Sequence, residues 1–178
     1  VMAKTSRKPQ EVVGRVPPQN IEAEQALLGG LLVDPEAMNK VVDVVSPEDF
    51  YREGHGKIYG FMLDLYERGE AADILTVSSL ARDRGMLDRI GGLTYLNTLV
   101  DLMPSSANII QYAKMVREKS LMRYLMNAAT QIIEMGQEAE LNVDSYIDES
   151  EKLIFEVSEN KLKPSFYAMK DIVLENVQ

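Results

Sequence analysis

The residues able to do chemistry are few in this chain. Cys is absent, so thiolate nucleophiles, disulfides and Cys-based zinc or iron–sulfur sites are excluded together, which fits a reducing compartment. The single His, His55, stands between Gly54 and Gly56 in what reads as a loop leading into a helix. A lone imidazole there reads as a cap or a surface residue, and no chemistry is assigned to it. It belongs to no Glu-x-x-His pair, so neither a His-rich metal centre nor a carboxylate di-iron bundle can be assembled. Asp148, Glu149, Glu151 and Glu156 are acidic at helical spacings, the pattern of a solvated face and not of paired catalytic carboxylates. Gly56-Lys57 is no nucleotide-binding P-loop, since Tyr51 occupies the place of the first Gly and Ile58 follows the Lys. The expectation is no catalytic, cofactor-binding or metal-binding residue within these 178 residues.

Charge narrows the class further. Lys4, Arg7, Lys8 and Arg15 against Glu11 put the first eighteen residues at +3; with the whole chain at −9, the rest carries −12. A body so acidic repels a phosphate backbone unless its cations gather on one face, so protein partners are expected ahead of nucleic acid. Hydrophobic residues at 46% and charged residues at 26% indicate a folded globular chain, long enough to bury a sizeable core. No run approaches a membrane span and no apolar signal segment opens the chain, so a cytoplasmic location without membrane attachment is expected. Val1 ahead of Met2 suggests a natural start at Met2, and residues 171–178 begin a helix-like pattern that stops without a cap, so the sequence reads as part of a longer chain.

Apolar residues recur at three and four with almost no strict alternation, which predicts an all-α fold. Residues 1–18, with Pro9, Pro17 and Pro18 and little to bury, read as a mobile basic arm. Residues 19–107 read as a compact head of short helices. Asn20 caps Ile21–Val33, Asp34-Pro35 restarts a helix through Val45, and Ser46-Pro47 repeats that device. Ile58–Glu67 ends at Gly69, Thr76 caps a segment ending at Gly85, and Gly91-Gly92 introduces Leu93–Leu102. Tyr95 follows that turn, and its type and place leave open an exposed edge or a partly buried core role. Residues 108–163 differ in kind: Asn108–Met135 lacks Gly and Pro, and Val143–Lys163 follows a turn and ends at Pro164. Helices of about 40 and about 30 Å would form a long antiparallel hairpin. Residues 164–178 read as a linker with the start of a truncated helix.

The hairpin carries the most informative pattern. Leu121, Leu125, Ala128, Ile132 and Met135 are spaced four, three, four, three. Met122, Met126, Ala129 and Ile133 repeat that spacing one residue later, about 100° around the helix. The returning segment offers one matching seam, Val143, Ile147, Ser150, Ile154 and Val157, flanked by Tyr146 and Leu153. Two seams against one partner helix leave an apolar strip open, which predicts self-association to at least a dimer.

Specific strings accompany this plan: Pro17-Pro18-Gln19-Asn20-Ile21-Glu22-Ala23-Glu24-Gln25-Ala26, Asp34-Pro35, Glu48-Asp49-Phe50-Tyr51, His55, Gly91-Gly92 with Tyr95-Leu96, Pro104, Ala107-Asn108-Ile109, Tyr112-Ala113 and Arg117-Glu118-Lys119. In order and spacing they resemble the N-terminal domain of the bacterial replicative DNA helicase family, DnaB, from Val16 to the linker near Pro164. The resemblance implies a hexameric collar built as a trimer of dimers through the hairpins, on which the C-terminal domain of primase docks. It places primase docking on Glu22, Tyr95, Met126 and Ile132, and implies a separate RecA-like motor using ATP and Mg²⁺ on single-stranded DNA. A helicase loader is a further candidate partner. The competing reading is a stand-alone dimeric DNA-binding regulator using the basic arm. Its best recognition helix, Thr76–Gly85, sets Arg82 and Arg84 against Asp83, with Asp88 following.

Overall fold

The computed structural model describes residues 15–138, 140 and 142–175, with side chains through residue 160. The expected basic arm falls outside the described residues as far as residue 14. All regular structure described is helical, and the helices form a head of short elements from which a long hairpin emerges.

Helix α1 (Ile21–Val33) begins where Asn20 Oδ1 accepts the Ala23 N–H at 3.0 Å, satisfying one of the amides a helix start leaves free. Ala23, Leu27, Leu28, Leu31 and Leu32 are all buried, as expected of a helix enclosed on several sides. On one side the backbone of α5 (Gly92–Leu102) comes so close that a Cβ on Gly29 would lie 2.2 Å from the Leu99 carbonyl oxygen. On another side lies the first half of α6 (Ile109–Gly136), whose Ile109, Ala113 and Val116 complete the core. Ile58, Tyr59, Met62 and Leu65 on α3 (Glu53–Glu67) and Val77 and Ala81 on α4 (Ile74–Asp83) fill the remainder.

Several local expectations are corrected. The segment after Asp34-Pro35 is not a helix through Val45 but a 3₁₀ turn, Pro35–Ala37, running into the single turn α2 (Met38–Val41). Ser46-Pro47 likewise starts only the 3₁₀ turn Pro47–Asp49, closed by Asp49 Oδ2 accepting the Ser46 N–H at 2.8 Å. Helix α3 starts five residues before Ile58, through Gly54, His55 and Gly56. Low glycine propensity is outweighed there because Gly56 lets the Pro47 carbonyl approach to where a Cβ would be 2.8 Å away. The cap of α4 is Asp73, with Thr76 its reciprocal partner: Asp73 Oδ1 accepts the Thr76 N–H and Thr76 Oγ1 accepts the Asp73 N–H.

The largest correction is in the returning helix. Helix α7 (Val143–Glu175) does not stop at Pro164. Pro164 has no N–H to give the Asn160 carbonyl one turn earlier. The Arg117 guanidinium donates to that oxygen through Nη2, so the acceptor freed by the proline is satisfied from α6. Arg117 Nη1 also donates to Asp49 Oδ1 at 2.6 Å, where Ser120 Oγ donates at 2.7 Å. Arg123, three residues beyond Ser120, donates to the carbonyls of Pro18 and Asp49, both at 2.7 Å. These buried polar links tie the foot of the hairpin to the head.

Candidate interaction site

Beyond Arg123, α6 leaves the head, and among the described residues it is α7 that accompanies it. The face that α7 turns toward α6 is Tyr146, Ser150, Leu153 and Val157, all half-buried, with the Tyr146 hydroxyl donating to the Ile132 carbonyl at 2.5 Å. This is rotated from the seam expected from spacing, because the aromatic Tyr146 and not Val143 fills the space beside Gly136. The rotation leaves Val143, Ile147, Ile154 and Phe155 facing outward, Phe155 with 61% of its surface accessible. On α6, Leu121 and Ile132 are half-buried and Ala128 is buried, whereas Met122, Leu125, Met126, Ala129 and Ile133 are exposed. A shallow apolar groove of about 530 Å³ runs along Ile132, Tyr146, Ile147, Ile154 and Phe155. Covering about eight such half-exposed side chains is worth on the order of 1 kcal/mol each, which is ample for a stable contact.

The head carries a second constellation that sequence reasoning missed. His55, expected as a cap or at the surface, is buried: Glu24 Oε1 receives its Nδ1–H at 2.8 Å, and Nε2 meets the Tyr95 hydroxyl at 2.5 Å. Glu24 is equally buried, and its Oε2 accepts the Tyr51 N–H at 2.8 Å. Gln25 Nε2 donates to the Tyr95 hydroxyl at 3.3 Å. The chain Glu24–His55–Tyr95 thus runs from the core of α1 through α3 to a half-buried tyrosine on α5. One signal was available: Glu24 sits on a helix apolar on nearly every side, and a carboxylate there requires a buried partner.

Glu22 is exposed and lines a groove with Gln25, Leu102, Met103, Tyr112 and Met115. Tyr95 joins this neighbourhood through Gln25, so Glu22 and Tyr95 share one side of the head. Met126 and Ile132 lie on the hairpin, and the grooves lined by Glu22 and by Ile132 have no residue in common. In the segment considered for DNA recognition, Arg84 is committed to Asp64 at 2.6 Å and stands over the Phe61 ring. Among the described residues no cluster of His, Asp and Glu could hold a metal ion, and no helix is long and apolar enough to cross a membrane.

Comparison with known proteins gives concordant results. The family described as DnaB-like helicase N terminal domain matches residues 16–118. The chain is 43% identical to the replicative DNA helicase DnaC of Bacillus subtilis (strain 168) over 161 residues, which are 90% of this chain and 36% of that protein. It is 42% identical to the replicative DNA helicase DnaB of Geobacillus stearothermophilus with the same coverage. The chain therefore spans about a third of the length of these relatives. Among solved structures, the N-terminal domain of DnaB helicase from Mycobacterium tuberculosis superposes with a TM-score of 0.75 at 40% identity, over 79% of this chain and 99% of that one. A DnaB-like replicative helicase, described together with its interactions with primase, superposes with a TM-score of 0.66 at 30% identity, over 79% of this chain and 31% of that one.

Proposed function

Since the chain belongs to the family of DnaB-like helicase N-terminal domains, we propose that it is the non-catalytic assembly and primase-docking part of a replicative DNA helicase. The observation that carries the reading is the apolar hairpin face left open in the single chain, from Met122 to Ile133 on α6 and Val143 to Phe155 on α7. A second copy laid against that face makes a dimer, and three dimers make the hexameric collar. Primase docks on the collar through Glu22, Tyr95, Met126 and Ile132, so the site draws on a head and on an arm fixed by its dimer partner. Pairing in this way preorganises the site and lowers the ordering cost of docking.

ATP and Mg²⁺ belong to a RecA-like motor outside these residues, and DNA is engaged mainly by that motor. A helicase loader is a further partner of the assembled ring, which acts in the cytoplasm. Support for primase as partner is the 30% identical DnaB-like helicase described with its primase interactions. The stand-alone regulator is disfavoured by the engagement of Arg84 with Asp64.

The test is calorimetry with the helicase-binding domain of primase, beside light scattering on the same samples. Tyr95→Ala and Glu22→Ala are expected to weaken binding about tenfold or more, near 1.4 kcal/mol, with assembly unchanged. Ile132→Asp is expected to weaken both. Unchanged affinity in Tyr95→Ala and Glu22→Ala refutes the docking assignment.

A further inference from the structure

Glu24 and His55 are unusual furniture for a core. Both are almost fully buried beside an apolar core, apart from the other buried ion pair, Asp49 with Arg117, at the foot of the hairpin. Replacing a buried hydrogen-bonded pair of this kind by apolar residues of similar volume is often neutral or stabilising, so stability alone does not account for it. The pair ends on the hydroxyl of a tyrosine that reaches the surface.

That tyrosine is held from both ends. At its root, Gly91 has φ 102°, and a Cβ there would lie 2.6 Å from Tyr95 Cβ and 2.9 Å from Cγ, so Tyr95 packs close over a backbone that only glycine leaves clear. At its tip, the rings of Tyr95 and His55 lie within 5° of parallel with centroids 5.8 Å apart, and the hydroxyl sits between His55 Nε2 and Gln25 Nε2. With a neutral imidazole the hydrogen-bond roles close in one way. Glu24 accepts from His55 Nδ1–H, which leaves Nε2 as the acceptor for the Tyr95 O–H, while the Tyr95 oxygen accepts from Gln25. The hydroxyl thus has its donor and an acceptor role filled within the chain, and the outer edge of the ring is what a partner meets.

We propose that Glu24 and His55 are positioning residues that lock the Tyr95 ring on the head as a preorganised aromatic anchor for the docked partner. This rests on the docking reading above and adds to it which atoms do the locking and which part of Tyr95 is read. Rigid aromatics with few free torsions are efficient anchors because little ordering remains to be done on binding.

The experiment is a double-mutant cycle on the whole 178-residue chain, with the helicase-binding domain of primase as probe. Tyr95→Phe keeps the ring and removes its tether, and His55→Gln removes the tether from the other side. Each is expected to weaken binding roughly two- to tenfold, and the double variant no more than either alone, because both remove one link. Losses that multiply, or a Tyr95→Phe affinity equal to the parent's, overturn the proposal. If His55→Gln does not fold, the ¹⁵N shifts of His55 in the parent chain decide: Nδ1 protonated and Nε2 hydrogen-bonded to Tyr95 is expected, and an Nε2 without a hydrogen bond overturns it. The failures are distinguishable. A Tyr95→Ala variant that binds normally refutes the docking reading and this proposal with it; weakened Tyr95→Ala beside unaffected Tyr95→Phe refutes the positioning alone.

Discussion

Replacing Arg117 with Met removes the cation at the foot of the hairpin while nearly conserving its aliphatic stem. Asp49 then remains buried with Ser120 Oγ and the Ser46 N–H as partners but no positive charge, and the Asn160 carbonyl loses the donor that substitutes for Pro164. Removing one member of a buried ion pair costs about 3–5 kcal/mol, and the Arg117 and Asp49 side chains are only 10% and 1% exposed, so screening by solvent reduces this little. At about 2–4 °C per kcal/mol for a chain of this size, Tm should fall by roughly 6–20 °C. Arg117→Lys keeps the charge but not the fork that serves two acceptors, so it should fall between parent and Met variant. Thermal melts at one fixed protein concentration read the stability, since assembly itself shifts Tm. Hydrogen exchange reads the location: the amides of α7 near Asn160 should lose protection before those of α1. An Arg117→Met variant within about 1 kcal/mol of the parent, with unchanged exchange in α7, would refute the argument that this guanidinium carries both links.

Two further outcomes follow from contacts in the head. Gly29→Ala places a methyl 2.2 Å from the Leu99 carbonyl oxygen, a rigid backbone atom, so α1 and α5 must separate; urea unfolding should show a loss of about 1–3 kcal/mol. Tyr59 is fully buried with its hydroxyl donating to the Val45 carbonyl at 3.0 Å, and burial raises its pKa far above the ordinary 10.0, with Asp49 and Asp43 adding to it. The unfolded chain releases that proton near pH 10 and the folded chain does not. Stability is therefore full below pH 10 and should fall above it, by up to about 1.4 kcal/mol per pH unit, a decline that Tyr59→Phe removes in urea melts across this range.

Local chemistry written in adjacent residues was the most legible part of the fold. Asn20 with Glu22 and Glu24 placed α1 at the observed Ile21–Val33, Gly91-Gly92 placed the start of α5, and the Gly- and Pro-free run after Asn108 placed α6. What was not legible depends on residues far apart in sequence. His55 meets partners 31 and 40 residues away, so nothing beside it reveals its burial. Gly54 and Gly56 lower helix propensity, yet the distant Pro47 carbonyl uses the space that Gly56 leaves. Pro164 is a reliable stop only when its freed carbonyl must find water, and here Arg117, 43 positions from Asn160, reaches that oxygen. On the hairpin, heptad spacing located an apolar surplus, but the rotation of α7 was set by Tyr146 and Gly136 at the turn, which spacing does not encode.

The central claim, that the outward hairpin face joins copies of this chain, is tested most directly by light scattering at micromolar concentration on the parent and on Met126→Glu/Ile133→Glu. Both side chains are exposed in the single chain, 40% and 55%, so the carboxylates are tolerated by the monomer and buried only in the assembly, at a cost of several kcal/mol. The expected result is a parent mass of at least two chains and a double variant with unchanged helical circular dichroism and the mass of one. A parent at the mass of one chain, or a double variant that assembles like the parent, contradicts it.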